Sequence, residues 1–147
     1  MKGMTLIVKR ISQLMIPSIL ILSLYVIVHG HLTPGGGFAG GVLGCGSFVL
    51  LVLAFGSEKA KSEVRKWRAS LTESIGILLF WFLALLGLIQ GSVFFFNFIQ
   101  KTNPGQPNTL FSAGIIPLCN LAIGIEVAAA LFAIFITMAV LKMGEKL

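Results

Sequence analysis

The sequence predicts an all-α integral membrane protein with four transmembrane helices and with the N- and C-termini in the cytoplasm. Of its 147 residues, 56% are apolar and only 11% are charged, which leaves too little polar surface to cover a globule in water. The charged residues lie between apolar runs of roughly 18 to 20 residues, the length that crosses about 30 Å of hydrocarbon as a helix. We therefore expect a single membrane domain over residues 1–147, with no room for a catalytic domain and no enzymatic activity.

The first two spans, residues 11–28 and 37–55, are predicted to form a tight helical hairpin. Gly30 follows the first span at the position where a left-handed residue commonly caps a helix, and Pro34 precedes the second span, where a proline costs little. The cations ahead of the first span resemble the start of a signal peptide. No small-residue cleavage site follows them, so we expect the first helix to be retained.

The third span is predicted at residues 74–98, with Glu73 at its start acting on the dipole of the helix. The charged segment 57–68 before it is expected to form a short cytoplasmic surface helix, because Glu and Lys recur there at helical spacing. Within this segment, Trp67 has the residue type that anchors helices at the membrane interface.

The fourth span is predicted at residues 117–141. The apolar run from 110 to 141 is too long for one straight crossing, and Pro117 suits the first turn of a helix. Residues 110–116 are therefore expected to form an interfacial or re-entrant piece.

The distribution of basic residues predicts the orientation, because cytoplasmic loops carry an excess of Lys and Arg. Lys101 alone falls on the outer side. The ten basic residues that fall inside are Lys2, Lys9, Arg10, Lys59, Lys61, Arg65, Lys66, Arg68, Lys142 and Lys146. These cations are separated by apolar spans and do not share one soluble face, so the net charge of +6 does not indicate nucleic-acid binding.

Glycines recur at four-residue spacing, which brings small residues onto one helix face. They are Gly36, Gly40 and Gly44, with Gly37 and Gly41 on the adjoining face of the second span, and Gly87 and Gly91 on the third. In a membrane this spacing permits close helix contact, so we predict a helix-packing role. The alternative is a helix start whose free N–H groups receive an anion or a carbonyl group from another chain. The same stretch contains GxGxxG, but the dinucleotide fingerprint needs a preceding strand and a βαβ unit, which are not predicted here.

Glu126 is the candidate ion-pathway residue that lies deepest in the predicted spans. It is nine positions past Pro117, about 13 Å along the helix, and so near the bilayer midplane. A carboxyl group at this depth costs several kcal/mol unless it is neutral, paired or wet, and is therefore a functional candidate. Small residues share its helix face: Cys119, Ala122, Ala129, Ala130, Ala133 and Thr137.

Two interpretations of Glu126 remain open. It is either an ionisable group on an ion path or a structural glutamate held by a Lys, a Ser or a backbone carbonyl of a neighbouring helix. The spans of this chain contain no Lys, Arg or His at the same depth, which favours a partner subunit or a proton as the counter-charge.

His29 and His31 are the other candidates for an ion pathway, near the outer surface, because histidine titrates in the physiological range. The alternative for His29 is a capping role at the end of its helix. Two histidines with no third ligand in the adjacent loop make a poor metal site, and Cys45 and Cys119 lie in separate apolar runs, so no metal and no disulfide is predicted.

The segment from His29 to Gly41 reads HGHLTPGGGFAGG and resembles the signature HGHxxPGGGFxGG of the MnhB/MrpB family. The order and length of the spans, and the stretch PLCNLAIGIE over residues 117–126, are similar to the rest of that family. The resemblance covers nearly the whole chain.

The resemblance implies a small subunit, without a cofactor of its own, of a multi-subunit antiporter that exchanges sodium for protons across a prokaryotic plasma membrane. The alternative that it implies is the same module within larger respiratory complexes, the membrane-bound hydrogenases and sulfane reductases, in which ferredoxin oxidation drives ion pumping. The expected partners are the other membrane subunits and the lipid bilayer, with Na⁺ and H⁺ as possible ions and no nucleic acid.

Three functions of different classes follow. The chain helps line a sodium or proton path through Glu126, or it is a structural subunit whose glycine and alanine faces join larger transporting subunits. The third, an autonomous channel or carrier, is the weakest, because the sequence has one embedded charge and no inverted repeat.

Overall fold

The computed structural model describes residues 4–56, 66–91, 93–102, 104–109 and 112–144, and side chains from 66 to 69 and beyond 139 are not described. Every regular element in these residues is an α-helix: α1 Leu6–Val28, α2 Gly37–Phe55, α3 Lys66–Gly91, α4 Phe98–Thr102 and α5 Ile116–Gly144. Four of them are long and apolar enough to cross a membrane, over Leu6–Val28, Gly37–Phe55, Ser70–Gly91 and Ile116–Ala139. The predicted class, an all-α protein with four membrane-spanning helices, is confirmed.

Helix α3 ends at Gly91, seven residues before the end that the apolar pattern suggested. The reason is a reversal of the chain. Phe95 has a left-handed backbone with φ of 60°, and its N–H donates to the carbonyl of Ala84 in the helix it has just left. Apolar side chains thus continue beyond the helix, so hydropathy alone could not locate its end.

At its other end α3 begins at Lys66, which corrects the role predicted for Glu73. Glu73 is seven residues inside α3 and the first turn holds no acidic residue, so Glu73 does not act on the dipole of the helix start. The surface helix was predicted over residues 57–68, of which residues 57–65 lie outside the described part of the chain. The Trp67 side chain, predicted to anchor at the interface, lies outside it as well.

The four spanning helices form an open layer in the order α1, α2, α5, α3. Neighbouring helices in this order pack along each other, and α1 also touches α5. In the described part of the chain, α3 contacts neither α1 nor α2. Burial follows the order: 39% of the α2 span is buried against 17% of the α1 and α3 spans. The chain therefore leaves broad apolar faces uncovered by its own helices.

Helices α1 and α2 pack at backbone distance through Gly40. A methyl group at Gly40 would overlap the Ile27 side chain and lie 2.9 Å from the carbonyl oxygen of Ser23. The Ser23 hydroxyl donates to the Gly40 carbonyl at 2.7 Å, which ties the two helices by a buried hydrogen bond. Gly44, one turn further along α2, faces the same serine hydroxyl.

Helices α2 and α5 meet through the adjoining glycine face. Methyl groups at Gly37 and Gly41 would lie 2.5 Å and 2.8 Å from the carbonyl oxygens of Asn120 and Gly124, respectively. Further along, Cys45 and Val52 pack with Phe132 in the buried cluster of the molecule. The two glycine faces thus contact two helices of the same chain, α1 and α5, which distinguishes them from surfaces free for a partner.

The layer has two ends, which we call the histidine end and the basic end. The histidine end carries residues 29–36, where α1 passes into α2, together with residues 93–102, 104–109 and 112–115 between α3 and α5. The basic end carries the start of α1 and α3 and the end of α2 and α5, and the Met4 N–H bonds there to the Ala54 carbonyl.

Candidate functional site

Glu126 lies on α5 where this helix crosses α3. It is ten residues after Ile116, about 15 Å along a span of 24 residues, and so near the middle of the apolar stretch. Gly76 of α3 faces it: a methyl group there would lie 2.8 Å from the Glu126 Cβ and 2.9 Å from its Cα and N. The partly buried carboxyl-bearing residue is thus held at a backbone-to-backbone helix contact.

The sequence pattern did not single out Gly76, although this residue makes the crossing possible. It has no second glycine four positions away on α3, which is the spacing that identified the other packing glycines. Gly76 could have been identified as the small residue opposite the partly buried Glu126. That inference requires knowing that α3 packs against α5, which the sequence pattern does not show.

The small residues that share the face of Glu126 divide between two environments. Ala122 and Ala129 are buried, whereas Ala130, Ala133 and Thr137 line a cavity toward the basic end. Part of this face is therefore covered by helices of the same chain, and part is open.

His29 ends α1 and packs on its own helix. Its N–H and its Nδ1 both approach the Tyr25 carbonyl oxygen, at 2.9 Å and 3.1 Å, and its ring stacks on the Tyr25 ring at 4.0 Å between centroids. Its carbonyl oxygen receives the N–H groups of Leu32 and Thr33 and the Thr33 hydroxyl. These contacts are those of a helix cap, and they also place the ring at the histidine end.

His31 connects two segments that are far apart in the chain. Its Nε2 lies 3.3 Å from the Thr109 carbonyl oxygen, 78 residues away. Its Nδ1 is buried and has no hydrogen-bond partner among the described residues. An N–H at Nε2 satisfies Thr109 and leaves Nδ1 as a buried acceptor.

The structure does not bring the histidines and Glu126 together. His29 and His31 follow the end of α1, at the histidine end, whereas Glu126 lies about 15 Å along α5 from Ile116. Within the described ranges, no group of three or more His, Cys, Asp or Glu residues is arranged to hold a metal ion.

Gly36 and Asn120 shape the turn from α1 to α2 at the histidine end. Gly36 has φ of 120°, a conformation that side-chain-bearing residues rarely adopt, and the space at its Cβ position faces the Asn120 Oδ1 at 3.8 Å. The amide nitrogen of Asn120 faces Gly30 in the same way. Asn120 therefore packs against both glycines that frame the turn from α1 to α2.

Gly87 and Gly91 contact a connecting segment, which differs from the helix contact predicted from their spacing. A methyl group at Gly87 would lie 2.5 Å from the Phe96 backbone nitrogen, and one at Gly91 would overlap the Phe96 ring. The chain after α3 thus folds back into the groove that the two glycines leave.

Asn97 holds the start of α5, a role that sequence reasoning missed. Its Nδ2 donates to the Ala113 carbonyl at 2.9 Å and to the Gln100 Oε1 at 3.0 Å, and its Oδ1 accepts the Ile115 and Gln100 N–H groups at 3.2 Å each. Gly114, with φ of 62°, leaves the space that this amide occupies. Residues 112–115 are consequently a set of turns bound to the segment before α4.

The fold and this site define a small multi-pass membrane protein whose helices form an open layer with one carboxyl group near mid-span. Residues 7–133 match the family model described as a domain related to the MnhB subunit of Na⁺/H⁺ antiporters. The chain belongs to this family, and the resemblance drawn from residues 29–41 is confirmed. The family and the four apolar helices make it a multi-pass protein of the plasma membrane.

Individual relatives match different shares of the chain. An uncharacterized protein of Methanocaldococcus jannaschii is 36% identical over 130 residues, which is 86% of this chain and 49% of that protein. A Staphylococcus aureus protein with the name antiporter subunit mnhB2 is 36% identical over 59 residues, 40% of this chain and 42% of that protein.

A solved structure shares the fold. It is a chain in the structure of the membrane-bound sulfane sulfur reductase, an archaeal respiratory membrane complex, with 32% identity and a TM-score of 0.77. The match covers 91% of this chain and 57% of that chain. The present chain thus spans about half the length of the relatives it matches.

Proposed function

We propose that the chain is a non-catalytic membrane subunit of a multi-subunit Na⁺/H⁺ antiporter module, in which it assists ion translocation and the assembly of the complex. The observation that carries this proposal is Glu126, a carboxyl-bearing residue near the middle of a spanning helix at the α3–α5 crossing. Membership of the MnhB-related family supports the class of transporter, and the open helix layer supports a need for further subunits.

The physical reason for giving Glu126 a transport role is its depth. A carboxyl group at this position is stabilised by a proton, a cation or an ion pair, and exchange among these states is the chemistry of cation/proton antiport. The described residues place a glycine against its backbone, not a cationic side chain. His29 and His31, at the histidine end, are then candidates for the outer approach of the ion.

The experiment is sodium-dependent antiport in membrane vesicles that contain the whole complex with Glu126→Gln. We expect at least a tenfold loss of antiport while the subunits still co-purify, and partial recovery with Glu126→Asp, which keeps the titratable group. Gly46→Ala is the matched control on the neighbouring helix, because no atom lies within 4 Å of the added methyl group. Unchanged antiport in the glutamine variant would remove Glu126 from the ion path.

We also propose that the basic end faces the cytoplasm, because Lys101 is the one basic residue expected at the opposite end. Gln106→Cys, at the histidine end, should react with a membrane-impermeant maleimide added to intact cells, and Ser62→Cys should react only after the membrane is opened. The reverse pattern of labelling would contradict this orientation.

A second candidate is the same role within a redox-driven respiratory complex, favoured by the likeness to a chain of the sulfane sulfur reductase complex at a TM-score of 0.77. Purification in mild detergent and identification of the co-purifying proteins separates the two. Iron–sulfur or nickel-bearing subunits would indicate the respiratory complex, and membrane subunits alone the antiporter.

A purely structural subunit is the candidate of another class. Backbone-distance packing joins three helix pairs, α1–α2, α2–α5 and α3–α5, and a layer packed in this way is suited to supporting larger subunits. Full antiport in the Glu126→Gln complex, combined with loss of the complex when the chain is deleted, would favour this role.

A further inference from the structure

A cavity of about 320 Å³ opens between α3 and α5, on the basic-end side of the Gly76–Glu126 crossing. Its lining residues are Glu73, Ala130, Ala133, Ile134, Thr137 and Met138. The two helices are in backbone contact at Gly76, and one turn earlier on α3 the facing residues on α5 are alanines. Because alanine side chains are too short to fill the space between diverging helices, a groove remains.

The groove has a charge that its lining does not balance. Glu73 is the charged residue among the six, and it is partly buried. The Thr137 hydroxyl donates to the Ala133 carbonyl at 2.8 Å, so this proton is committed within α5. Glu73 is three residues inside the Ser70–Gly91 span, and a helix that covered the groove would exclude water from its carboxylate, which is costly unless a cation pairs with it.

Large and small side chains both line the α5 side of the groove. Ile134 and Met138 are large and more than half exposed, as are Ile75 and Leu78 on the outward faces of α3. Ala130 and Ala133 form a strip of small residues beside them, and small residues of this kind let another helix approach closely. The described part of α3 meets no spanning helix other than α5, so access from the side is open.

We propose that this groove receives a transmembrane helix of a partner membrane subunit, which presents a Lys or Arg side chain to Glu73. Charge complementarity selects the partner, and the alanine strip sets how closely its backbone approaches. The proposal rests on the proposed function only in requiring a multi-subunit complex, and it holds for an antiporter and for a respiratory complex alike.

The direct test is a photo-crosslinking amino acid at Ala133 in the complete complex in its native membrane, with Ile89 as the control position. Ile89 is 78% exposed, lies near the other end of α3 and is not part of the groove. We expect the Ala133 probe to form an adduct with one partner subunit, in a peptide from a membrane helix with Lys or Arg within two turns of the adduct. Adducts with lipid only, or with a helix that has no basic residue there, would overturn the proposal.

Charge variants give a second measurement that does not depend on the probe. Glu73→Gln and Glu73→Lys should lower the amount of that partner retained in mild detergent by about tenfold, because breaking a buried ion pair leaves one charge uncompensated. Changing the partner's Lys or Arg nearest the adduct to Glu should restore retention with Glu73→Lys. Full retention in the glutamine variant would refute the pairing.

A pair within the chain is the competing outcome. Lys66 and Arg68 precede Glu73 on α3, and Lys142 follows Met138 by one turn on α5, so Lys66→Glu, Arg68→Glu and Lys142→Glu are each combined with Glu73→Lys. Restoration by any of these three changes, without a change in the partner, would assign the counter-charge to this chain and overturn the proposal. Subunit retention and adduct formation, not antiport, are the readouts, so failure of the transport role leaves this test unaffected.

Discussion

Gly76 of α3 lies directly against the backbone of Glu126 of α5, and a Cβ atom at Gly76 would come within 2.9 Å of the Glu126 Cα and N. This contact joins the one helix that has no other spanning neighbour in the described chain to the rest of the layer. The candidate ion-pathway residue and the attachment of α3 therefore depend on the same crossing. A change that separates these helices should alter both.

The first prediction concerns Gly76→Ala. Because the new methyl group would meet backbone atoms that cannot rotate away, α3 must shift from α5, and overpacking of this kind costs about 1–3 kcal/mol. We expect a lower thermal stability in detergent, measured by loss of the monodisperse peak after heating. Gly46→Ala, which adds the same methyl group where no atom lies within 4 Å, should leave the profile unchanged.

The second prediction concerns the contact between α1 and α2. Gly40→Ala places a methyl group on the Ser23 carbonyl and the Ile27 side chain and should also disturb the Ser23–Gly40 hydrogen bond of 2.7 Å. We expect a loss of about 1–3 kcal/mol in stability, of which Ser23→Ala alone should reproduce about 1 kcal/mol. Equal stability of Gly40→Ala and Gly46→Ala would show that these helices can separate without cost.

Four spanning helices could be predicted from the sequence because crossing a bilayer imposes length and apolarity on each segment separately. The end of α3 and the role of Glu73 could not. The end of α3 depends on a chain reversal at Phe95, and the role of Glu73 depends on residues 66–73 being helical. Hydropathy encodes neither feature.

In the candidate site, too, the sequence predicts features that depend on one helix but not features that depend on the packing of two. The depth of Glu126 follows from its distance to the start of its helix. Its neighbour Gly76 and the adjoining groove follow only from the packing of α3 on α5. Asn97 was missed because its partners are 16 and 18 residues away and belong to irregular segments.

The third prediction separates structure from function at His31. Replacement by Leu removes one hydrogen bond to Thr109 at 3.3 Å but also removes a buried Nδ1 that has no partner among the residues that the structure describes. These effects oppose each other, so the stability should change by no more than about 1 kcal/mol. If His31 lies on the ion path, antiport by the His31→Leu complex should fall severalfold without loss of subunits. A large loss of stability would instead assign His31 to holding the histidine end together.

The fourth prediction concerns Asn97, whose side-chain amide binds the turns before α5 through both of its polar atoms. Asn97→Asp retains the oxygen that accepts the Ile115 and Gln100 N–H groups, but it replaces the Nδ2 donor with a second oxygen facing the Ala113 carbonyl. Asn97→Leu removes both types of contact. We therefore expect a graded effect, since each hydrogen bond contributes about 0.5–1.5 kcal/mol.

The measurement for Asn97 is amide hydrogen exchange, resolved to the peptide that contains residues 112–116. Exchange at Ile115 should accelerate slightly in the aspartate variant and by about tenfold or more in the leucine variant, while amides in the middle of α2 remain protected. Because α5 begins at Ile116, loosening of these turns should also lower antiport if the first turn of α5 positions the helix that carries Glu126. Faster exchange with unchanged antiport would show that the crossing at Gly76 fixes Glu126 without help from the histidine end.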